Sequence, residues 1–203
     1  IPYGLDTQEF SPRGKEICRQ ALGIPEQSRV ILFVAQSSAM RRKGFELFQQ
    51  ALTKLPPGNL LLLSVGGGES AMDGSIRRLH LGNVEHDRIL SLAYGAADVF
   101  VIPSMQDNLP NTVLESMACG TPVVGFCVGG IPDMVRPGET GALAPAGNVD
   151  ALATAIRTML DDDEERRRMG ENCRRVALEE YDAGAQARRY ISLYTSLLET
   201  KTQ

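Results

Sequence analysis

The stretch of sequence that decides the fold is VIPSMQDNLPNTVLESMACGTPVVG, residues 101–125. It opens with an apolar run that ends near Ser104, continues through a short polar loop, and then enters a helix-forming segment over 111–119. Gly120 ends that segment, and a second apolar run over 122–126 follows. The succession of strand, loop, helix and strand predicts one unit of an α/β protein, with the polar loop at the carboxyl end of the first strand.

Two acidic residues of this stretch are candidates for binding chemistry. Asp107 lies at the carboxyl end of the predicted strand, and the helix that begins near Pro110 directs free amides and its positive dipole end to the same place, where an anion is stabilised. Glu115 lies on the same helix face as Asn111, four residues earlier. A carboxylate there can accept both hydroxyls of a ribose. The alternative is an ordinary helix start, since Asp and Asn cap helices and Pro favours the first turn.

Strand-like and helix-like segments alternate through most of the chain. Strands are predicted over 29–36, 59–65, 78–81, 98–102, 122–126 and 142–144, and helices over 11–22, 44–54, 87–95, 111–119 and 131–135. This alternation indicates right-handed crossovers and a Rossmann-like, doubly wound parallel sheet. Ligands of such sheets bind outside the carboxyl ends of the strands, so the site is expected in the loops that begin there.

A basic loop after the first full strand is a second candidate for the site. Arg41-Arg42-Lys43-Gly44 follows the strand over 29–36 and opens a helix. Cations at the carboxyl end of a strand can neutralise a diphosphate leaving group as the bond to it breaks. The alternative is a basic surface loop, but the position beside a second helix start favours a phosphate contact.

Length and composition indicate one globular domain without a nucleic-acid partner. The 203 residues include 43% hydrophobic residues, enough for a single core. The formal charge of −4 leaves no basic field to gather nucleic acid or an anionic membrane. We expect a cytoplasmic protein, because the sequence shows neither an apolar run of about 18 residues nor a signal pattern. The scattered cysteines, which we expect to be reduced thiols, are Cys18, Cys119, Cys127 and Cys173.

The combined pattern closely resembles the signature of the retaining glycosyltransferases of family 4. Asp107 and Glu115 form a pair of acids with seven residues between them, and SMACGTPVV (116–124) and GGIPD (129–133) follow. The family has the GT-B architecture of two facing Rossmann-like domains. The opening segment IPYGLD, residues 1–6, resembles the segment that follows the crossing between those domains. The resemblance implies that this chain is the C-terminal, donor-binding half and that an N-terminal acceptor-binding domain is absent from it.

The resemblance also implies roles for individual residues. Lys43 would contact the diphosphate, Asp107 the donor sugar, and Glu115 the ribose, and these three form the expected catalytic set. The expected donor-binding set is Arg42, Gly82, Asn83, Val84, Asn108, Leu109, Pro110, Asn111, Thr112 and Glu115. No cofactor or metal is expected, because enzymes of this architecture meet the leaving-group charge with helix dipoles and cations. His80 and His86 lack metal-ligand spacing and receive no catalytic role.

Two positions depart from the family pattern. Ala35-Gln36-Ser37-Ser38 stands where the family has Gly-Arg, so Arg42 or Arg41 would have to replace the second phosphate ligand. Asp107 stands where the family usually has Glu, which is longer by one methylene. The shorter side chain could shift the preference for the donor sugar.

The last quarter of the chain is predicted to be helical, which divides the domain into a core over 1–148 and C-terminal helices over 149–203. The DDDEERRR run at 161–168 is interpreted as a solvated helix face with ion pairs at four-residue spacing. The final helix, predicted over 183–198, repeats apolar residues on one stripe, at positions 187, 190, 191, 194, 197 and 198. Because the last helix of GT-B enzymes usually crosses to the other domain, this stripe is expected to make an interdomain contact.

The expected function is transfer of a hexose from a nucleotide sugar to a saccharide or lipid-linked saccharide acceptor in surface polysaccharide synthesis. UDP-glucose is the favoured donor, and GDP-mannose and UDP-N-acetylglucosamine remain open. The acceptor, and any membrane association, would depend on the missing domain. Two alternatives remain: half of a nucleotide-sugar epimerase of the same architecture, or a non-catalytic nucleotide-binding domain in which Asp107 and Glu115 only cap helices.

Overall fold

The computed structural model describes residues 1–68 and 76–200, which form a six-stranded sheet with helices on both faces. The strands are β1 Arg29–Ser37, β2 Leu60–Gly67, β3 Arg77–His80, β4 Val99–Ile102, β5 Val123–Phe126 and β6 Gly141–Ala144. The α-helices are α1 Lys15–Ala21, α2 Phe45–Leu52, α3 Asp87–Ala96, α4 Asn111–Ala118, α5 Ile131–Met134, α6 Val149–Asp161, α7 Asp163–Glu180 and α8 Ala183–Thr200.

The sheet has the order β3-β2-β1-β4-β5-β6, and every neighbouring pair is parallel. The chain moves outward from β1 to β3, then returns to the other side of β1 and moves outward again through β4, β5 and β6. The prediction of a Rossmann-like, doubly wound sheet is confirmed. The reversal places a topological switch point between β1 and β4, where the helices that follow these two strands pack on opposite faces of the sheet.

Alternate residues of each strand enter two separate cores. Val30 and Leu32 of β1 pack in the core that contains residues of α1, α3, α4 and α7. Ile31 and Phe33 pack on the opposite face, with residues of α2 and α6. Because both faces are covered, a central strand such as β4 is buried at every residue, which explains its unbroken apolar sequence.

Most predicted elements differ from the observed ones by one or two residues at their ends. The larger difference is the helix predicted over 11–22, which begins only at Lys15. Gly14 precedes it with a φ of 79°, a left-handed conformation that helical backbone does not adopt. The Ser11 hydroxyl donates to the carbonyl of Gln8, outside the helix, and no side chain caps the start of α1.

The interpretation of 161–168 as a plain solvated face is wrong in part. Asp162 is the N-cap of α7 and accepts from the backbone N–H of Glu165 at 2.9 Å. The recorded ion pairs of the run are spaced three residues apart, as in Glu165–Arg168, rather than four. The Arg166 side chain is only 11% exposed and donates to the carbonyls of Met159 and Leu160 at the end of α6. This arginine therefore joins α6 to α7, a tertiary role that local spacing does not reveal.

The final helix carries the predicted apolar stripe on its surface. Ile191, Tyr194 and Leu197 are 65%, 59% and 53% exposed, so most of this stripe faces solvent in the described part of the chain. At its start the helix meets the first residues of the chain, where the N–H of Ala183 donates to the carbonyl of Leu5 at 3.0 Å. No helix in the described part of the chain has the length and apolar character needed to cross a membrane.

Candidate functional site

The two predicted site loops meet at the switch point of the sheet. Lys43 lies in a short 3-10 helix, Arg41–Lys43, in the connection that follows β1. Asp107 lies in the loop that follows β4. Because β1 and β4 are neighbouring parallel strands, both connections leave the sheet at the same edge. The topology thus brings together two residues that are 64 positions apart in sequence.

Lys43 and Asp107 form an ion pair. The Lys43 ammonium donates to Oδ2 of Asp107 at 2.6 Å, and the two side chains are 16% and 12% exposed. The Ser104 hydroxyl donates to the same carboxylate oxygen at 3.2 Å. The pair is held at the crevice but remains accessible to water, so an incoming anion can compete for the lysine.

Close backbone contacts hold the loops of the pair together. Gly44 has a φ of 67°, and a Cβ on it would lie 1.9 Å from the carbonyl oxygen of Pro103. The N–H of Met105 donates to the carbonyl of Arg42 at 2.8 Å, which fixes the basic loop on the acidic one. On the other side, a Cβ on Gly129 would lie 1.8 Å from the carbonyl oxygen of Asp107. Side chains at Gly44 or Gly129 would push these loops apart.

The start of α4 completes the crevice. Pro110 is the N-cap, and Asn111 and Thr112 begin the helix with amides that have no partner within it. Pro110 itself has no N–H to donate. An open depression of about 580 Å³ lies beside this helix start. It is lined by Arg42, Met105, Gln106, Asp107, Asn108 and Gly129. Of the two arginines considered for the second phosphate contact, Arg42 is the one that borders it.

Glu115 lies one turn further along α4 and is held by a partner that the sequence reasoning did not consider. The Tyr94 hydroxyl donates to its Oε2 at 2.8 Å. Burial raises the pKa of Glu115 to about 7; the Tyr94 hydrogen bond acts to lower it and the charge of Asp87 to raise it. This carboxyl therefore changes its charge near neutral pH. A buried tyrosine hydroxyl usually finds a hydrogen-bond partner, so a tyrosine amid the apolar residues of α3 was the available signal.

The remaining predicted donor residues lie at the same edge but farther from the switch point. Gly82, Asn83 and Val84 follow β3, two strands away from β1. The carbonyl of Gly82 accepts from the N–H of Gly66 at 2.7 Å, and Val84 packs against the core. This loop is therefore anchored beside the end of β2, and its contact with a base stays a prediction.

A larger cavity of about 670 Å³ lies at the opposite edge, between the start of α1 and α7. None of the predicted site residues lines it. In the described residues, no group of three or more His, Cys, Asp or Glu side chains is arranged to hold a metal ion. His86 is the N-cap of α3, and His80 Nδ1 lies 2.9 Å from the Ser64 hydroxyl. The four cysteines are free thiols, which agrees with their predicted state.

Comparison with known proteins gives a consistent family assignment. The family model described as "Glycosyl transferases group 1" matches residues 14–176. A curated relative, the D-inositol 3-phosphate glycosyltransferase of Corynebacterium glutamicum, is 35% identical over 191 residues, which cover 85% of this chain and 45% of the relative. The chain thus spans less than half the length of that protein.

Solved structures agree with the sheet and helix arrangement. Sucrose-phosphate synthase from Thermosynechococcus elongatus superposes with a TM-score of 0.86 and 31% identity, over 98% of this chain and 52% of that one. Anabaena HepE, solved in complex with UDP-glucose, superposes with a TM-score of 0.77 and 23% identity, over 95% of this chain and 56% of that one. The second likeness shows the fold alone.

Proposed function

The chain belongs to the group 1 glycosyl transferase family, and from this premise we propose that it is the donor-binding half of a retaining glycosyltransferase. The enzyme would transfer a hexose from a nucleoside diphosphate to a saccharide or lipid-linked saccharide acceptor in surface polysaccharide synthesis. The observation that carries the proposal is the Lys43–Asp107 pair at the switch point, beside the start of α4.

The proposed binding mode follows from the charges of the crevice. Lys43 exchanges Asp107 for the diphosphate and, with Arg42, neutralises the charge that develops as the sugar leaves. The first amides of α4 and the positive end of its dipole stabilise the phosphate nearest the sugar. Asp107, released from the lysine, accepts hydroxyls of the hexose, and Glu115 accepts those of the ribose. In this binding mode Lys43 and Arg42 serve the diphosphate, whereas the two acids serve the sugars of the donor.

UDP-glucose is the proposed donor. The structure of HepE with UDP-glucose supports this choice, because that protein shares the fold. GDP-mannose and UDP-N-acetylglucosamine are the competing donors. Neither a metal nor another cofactor is part of the proposal, since helix dipole and cations supply the positive charge.

The exposed stripe of α8 is the proposed contact with the acceptor half. Its residues Ile191, Tyr194 and Leu197 form an apolar face that is largely exposed in the described part of the chain. The Corynebacterium glutamicum relative is more than twice as long as the region it shares with this chain. Association with a second domain would bury this face and place acceptor groups opposite the crevice.

Calorimetric titration of the chain with UDP-glucose, UDP-N-acetylglucosamine, GDP-mannose and ADP-glucose tests the proposal. We expect binding of one of the UDP-sugars and at least tenfold weaker binding of the GDP- and ADP-sugars. Absence of all binding would favour a non-catalytic domain. If the full-length protein interconverted free UDP-sugars without an acceptor, it would be an epimerase.

A further inference from the structure

Tyr94 is a fully buried residue whose only polar side-chain atom points at Glu115. The residue has no exposed surface, and its hydroxyl lies 2.8 Å from Oε2 of Glu115. Its ring makes edge contacts with Phe10 and Phe100, with centroids 6.4 and 5.6 Å away. These contacts hold the ring in place and so restrict the χ1 motion that would carry the hydroxyl away from Glu115.

The hydrogen bond occupies one of the two oxygens of the Glu115 carboxylate. Among the described residues, Tyr94 is the one side chain recorded as a donor to this carboxylate. A carboxylate can accept about four hydrogen bonds, so the remaining lone pairs are free for other donors. Glu115 is only partly buried, so part of its side chain is open to solvent. Tyr94 therefore holds one oxygen of the carboxylate, and the other oxygen can accept from a ligand.

We propose that Tyr94 is a positioning residue of the nucleotide site, and that it orients Glu115 to accept the two ribose hydroxyls. The inference rests on the proposed function, since it deepens the role given to Glu115 there. Tyr94 does not touch the nucleotide; it acts through the carboxylate.

The charge of Glu115 should affect its contact with the ribose, and this effect can be measured. An ionised carboxylate accepts from both ribose hydroxyls, whereas a protonated one loses part of this capacity. Burial raises the pKa of Glu115 to about 7, and the Tyr94 hydrogen bond counteracts part of that rise. The titratable groups that interact with Glu115 are Tyr94 and Asp87 of α3 and Cys119, the residue after α4. Removal of the tyrosine hydroxyl would thus raise the pKa of Glu115 further and leave it less ionised at neutral pH.

The test compares UDP with 2′,3′-dideoxyuridine diphosphate, which has the same diphosphate but lacks both ribose hydroxyls. Affinities of the chain for both are measured by calorimetry from pH ~5.5 to ~8.5. The ratio of the two affinities cancels the titration of the phosphates and reports the ribose contact alone. In the unaltered chain this ratio should be about tenfold and should rise as the pH passes about 7.

Tyr94→Phe keeps the ring and removes the hydroxyl. We expect the ratio at neutral pH to fall about fivefold and its rise to move to higher pH, while the affinity for the dideoxy nucleotide stays constant. Tyr181→Phe is the matched control: Tyr181 is also buried, but its hydroxyl points at the carbonyl of Asp133, so the ratio should not change.

The outcomes separate this inference from the function on which it rests. If Glu115→Gln lowers the ratio and Tyr94→Phe does not, Tyr94 has no positioning role and the ribose site stands. If Tyr94→Phe weakens both nucleotides equally, its effect is structural and the inference fails. If Glu115→Gln leaves the ratio unchanged, the role proposed for Glu115 fails and the inference with it.

A measurement on the unaltered chain covers the case in which Tyr94→Phe does not fold. The 13Cζ resonance of Tyr94 is assigned by elimination, through Tyr→Phe changes at Tyr3, Tyr181, Tyr190 and Tyr194. It should shift when UDP binds and remain in place when the dideoxy nucleotide binds. Equal shifts with both nucleotides would overturn the inference.

Discussion

Two carboxylates at opposite edges of the sheet have opposite surroundings. Asp98, at the amino end of β4, accepts from Lys15 at 2.7 Å, from Arg19 at 2.8 Å and from the N–H of Val30 at 2.7 Å. Asp107, beyond the carboxyl end of the same strand, is paired with Lys43 and borders an open depression. The first carboxylate is enclosed by protein partners, and the second can exchange its partner for a ligand.

The comparison shows that an ion pair alone does not identify a binding site. Burial acts to raise the pKa of Asp98, but Lys15, the Val30 N–H and Arg19 outweigh it, so the pKa lies below its ordinary value. Folding therefore gains stability from this group at neutral pH and loses that stability as the pH falls. Its cations are engaged in holding α1 against the sheet. At the crevice, by contrast, the carboxylate pairs with a single cation, Lys43, and borders an open depression.

The largest expected effect is on stability and follows from Asp98→Asn. The change leaves Arg19, whose side chain is 8% exposed, as a buried cation without its carboxylate. Loss of one partner from such a buried pair costs about 3–5 kcal/mol. Asp107→Asn is the matched change at the crevice and should cost less, about 1–2 kcal/mol, because Asp107 has one cationic partner and borders an open depression.

Urea unfolding followed by circular dichroism measures both changes. Equal losses of stability in the two variants would contradict the comparison, because Asp107 would then contribute as much to folding as Asp98 does. A loss of nucleotide binding in folded Asp98→Asn would also contradict it, because no part of the proposed site lies at that edge.

Lysine replacements at the two edges should separate binding from folding. Lys43→Ala is expected to weaken UDP-glucose binding by roughly 10- to 100-fold, the loss of a charged hydrogen bond, with little effect on unfolding. Lys15→Ala should leave the affinity unchanged and lower the stability slightly, since Arg19 still pairs with Asp98. Calorimetry and urea unfolding of both proteins provide the check. Unchanged affinity in Lys43→Ala would remove this residue from the site.

The smallest expected effect concerns Glu115 and has the opposite sign to that of Asp98. Because its folded pKa of about 7 exceeds the ordinary 4.5, the folded chain binds the proton more tightly than the unfolded chain does. The stability that this provides is complete below the ordinary value and is lost as the pH rises to about 7. Glu115→Gln should therefore stabilise the free protein at pH ~8 by on the order of 1–2 kcal/mol.

Thermal unfolding of the free chain and of Glu115→Gln across this pH range measures the effect. At acidic pH the two proteins should be equally stable, which serves as the internal control. If the stability of both proteins changed equally with pH, titration of Glu115 would not be the cause of the change.

The sequence predicted the fold because its signals were local. The apolar run that became β1 and the segment 111–119 that became α4 are bounded by turn and helix-end residues, so their ends could be located within about two residues. The proximity of Lys43 and Asp107 could also be predicted, since a doubly wound sheet places the carboxyl ends of its strands at one edge. The start of α1 could not be predicted, because it depends on the left-handed backbone of Gly14.

Contacts between distant elements could not be predicted. Arg166 looks like one of three surface arginines in the sequence, yet it crosses from α7 to the last carbonyls of α6. Tyr94 reads as one apolar residue of α3, and only its distance to Glu115 gives it a place in the site. Helix spacing describes neighbours on one element, whereas these side chains are defined by their neighbours on another.

A crystal structure of the chain with UDP-glucose tests the central claim most directly. The account predicts that the diphosphate lies within hydrogen-bond distance of the Lys43 ammonium and of the first amides of α4, with the Lys43–Asp107 pair opened. A nucleotide bound instead in the cavity beside Lys15 and Arg167, with that pair intact, would contradict it.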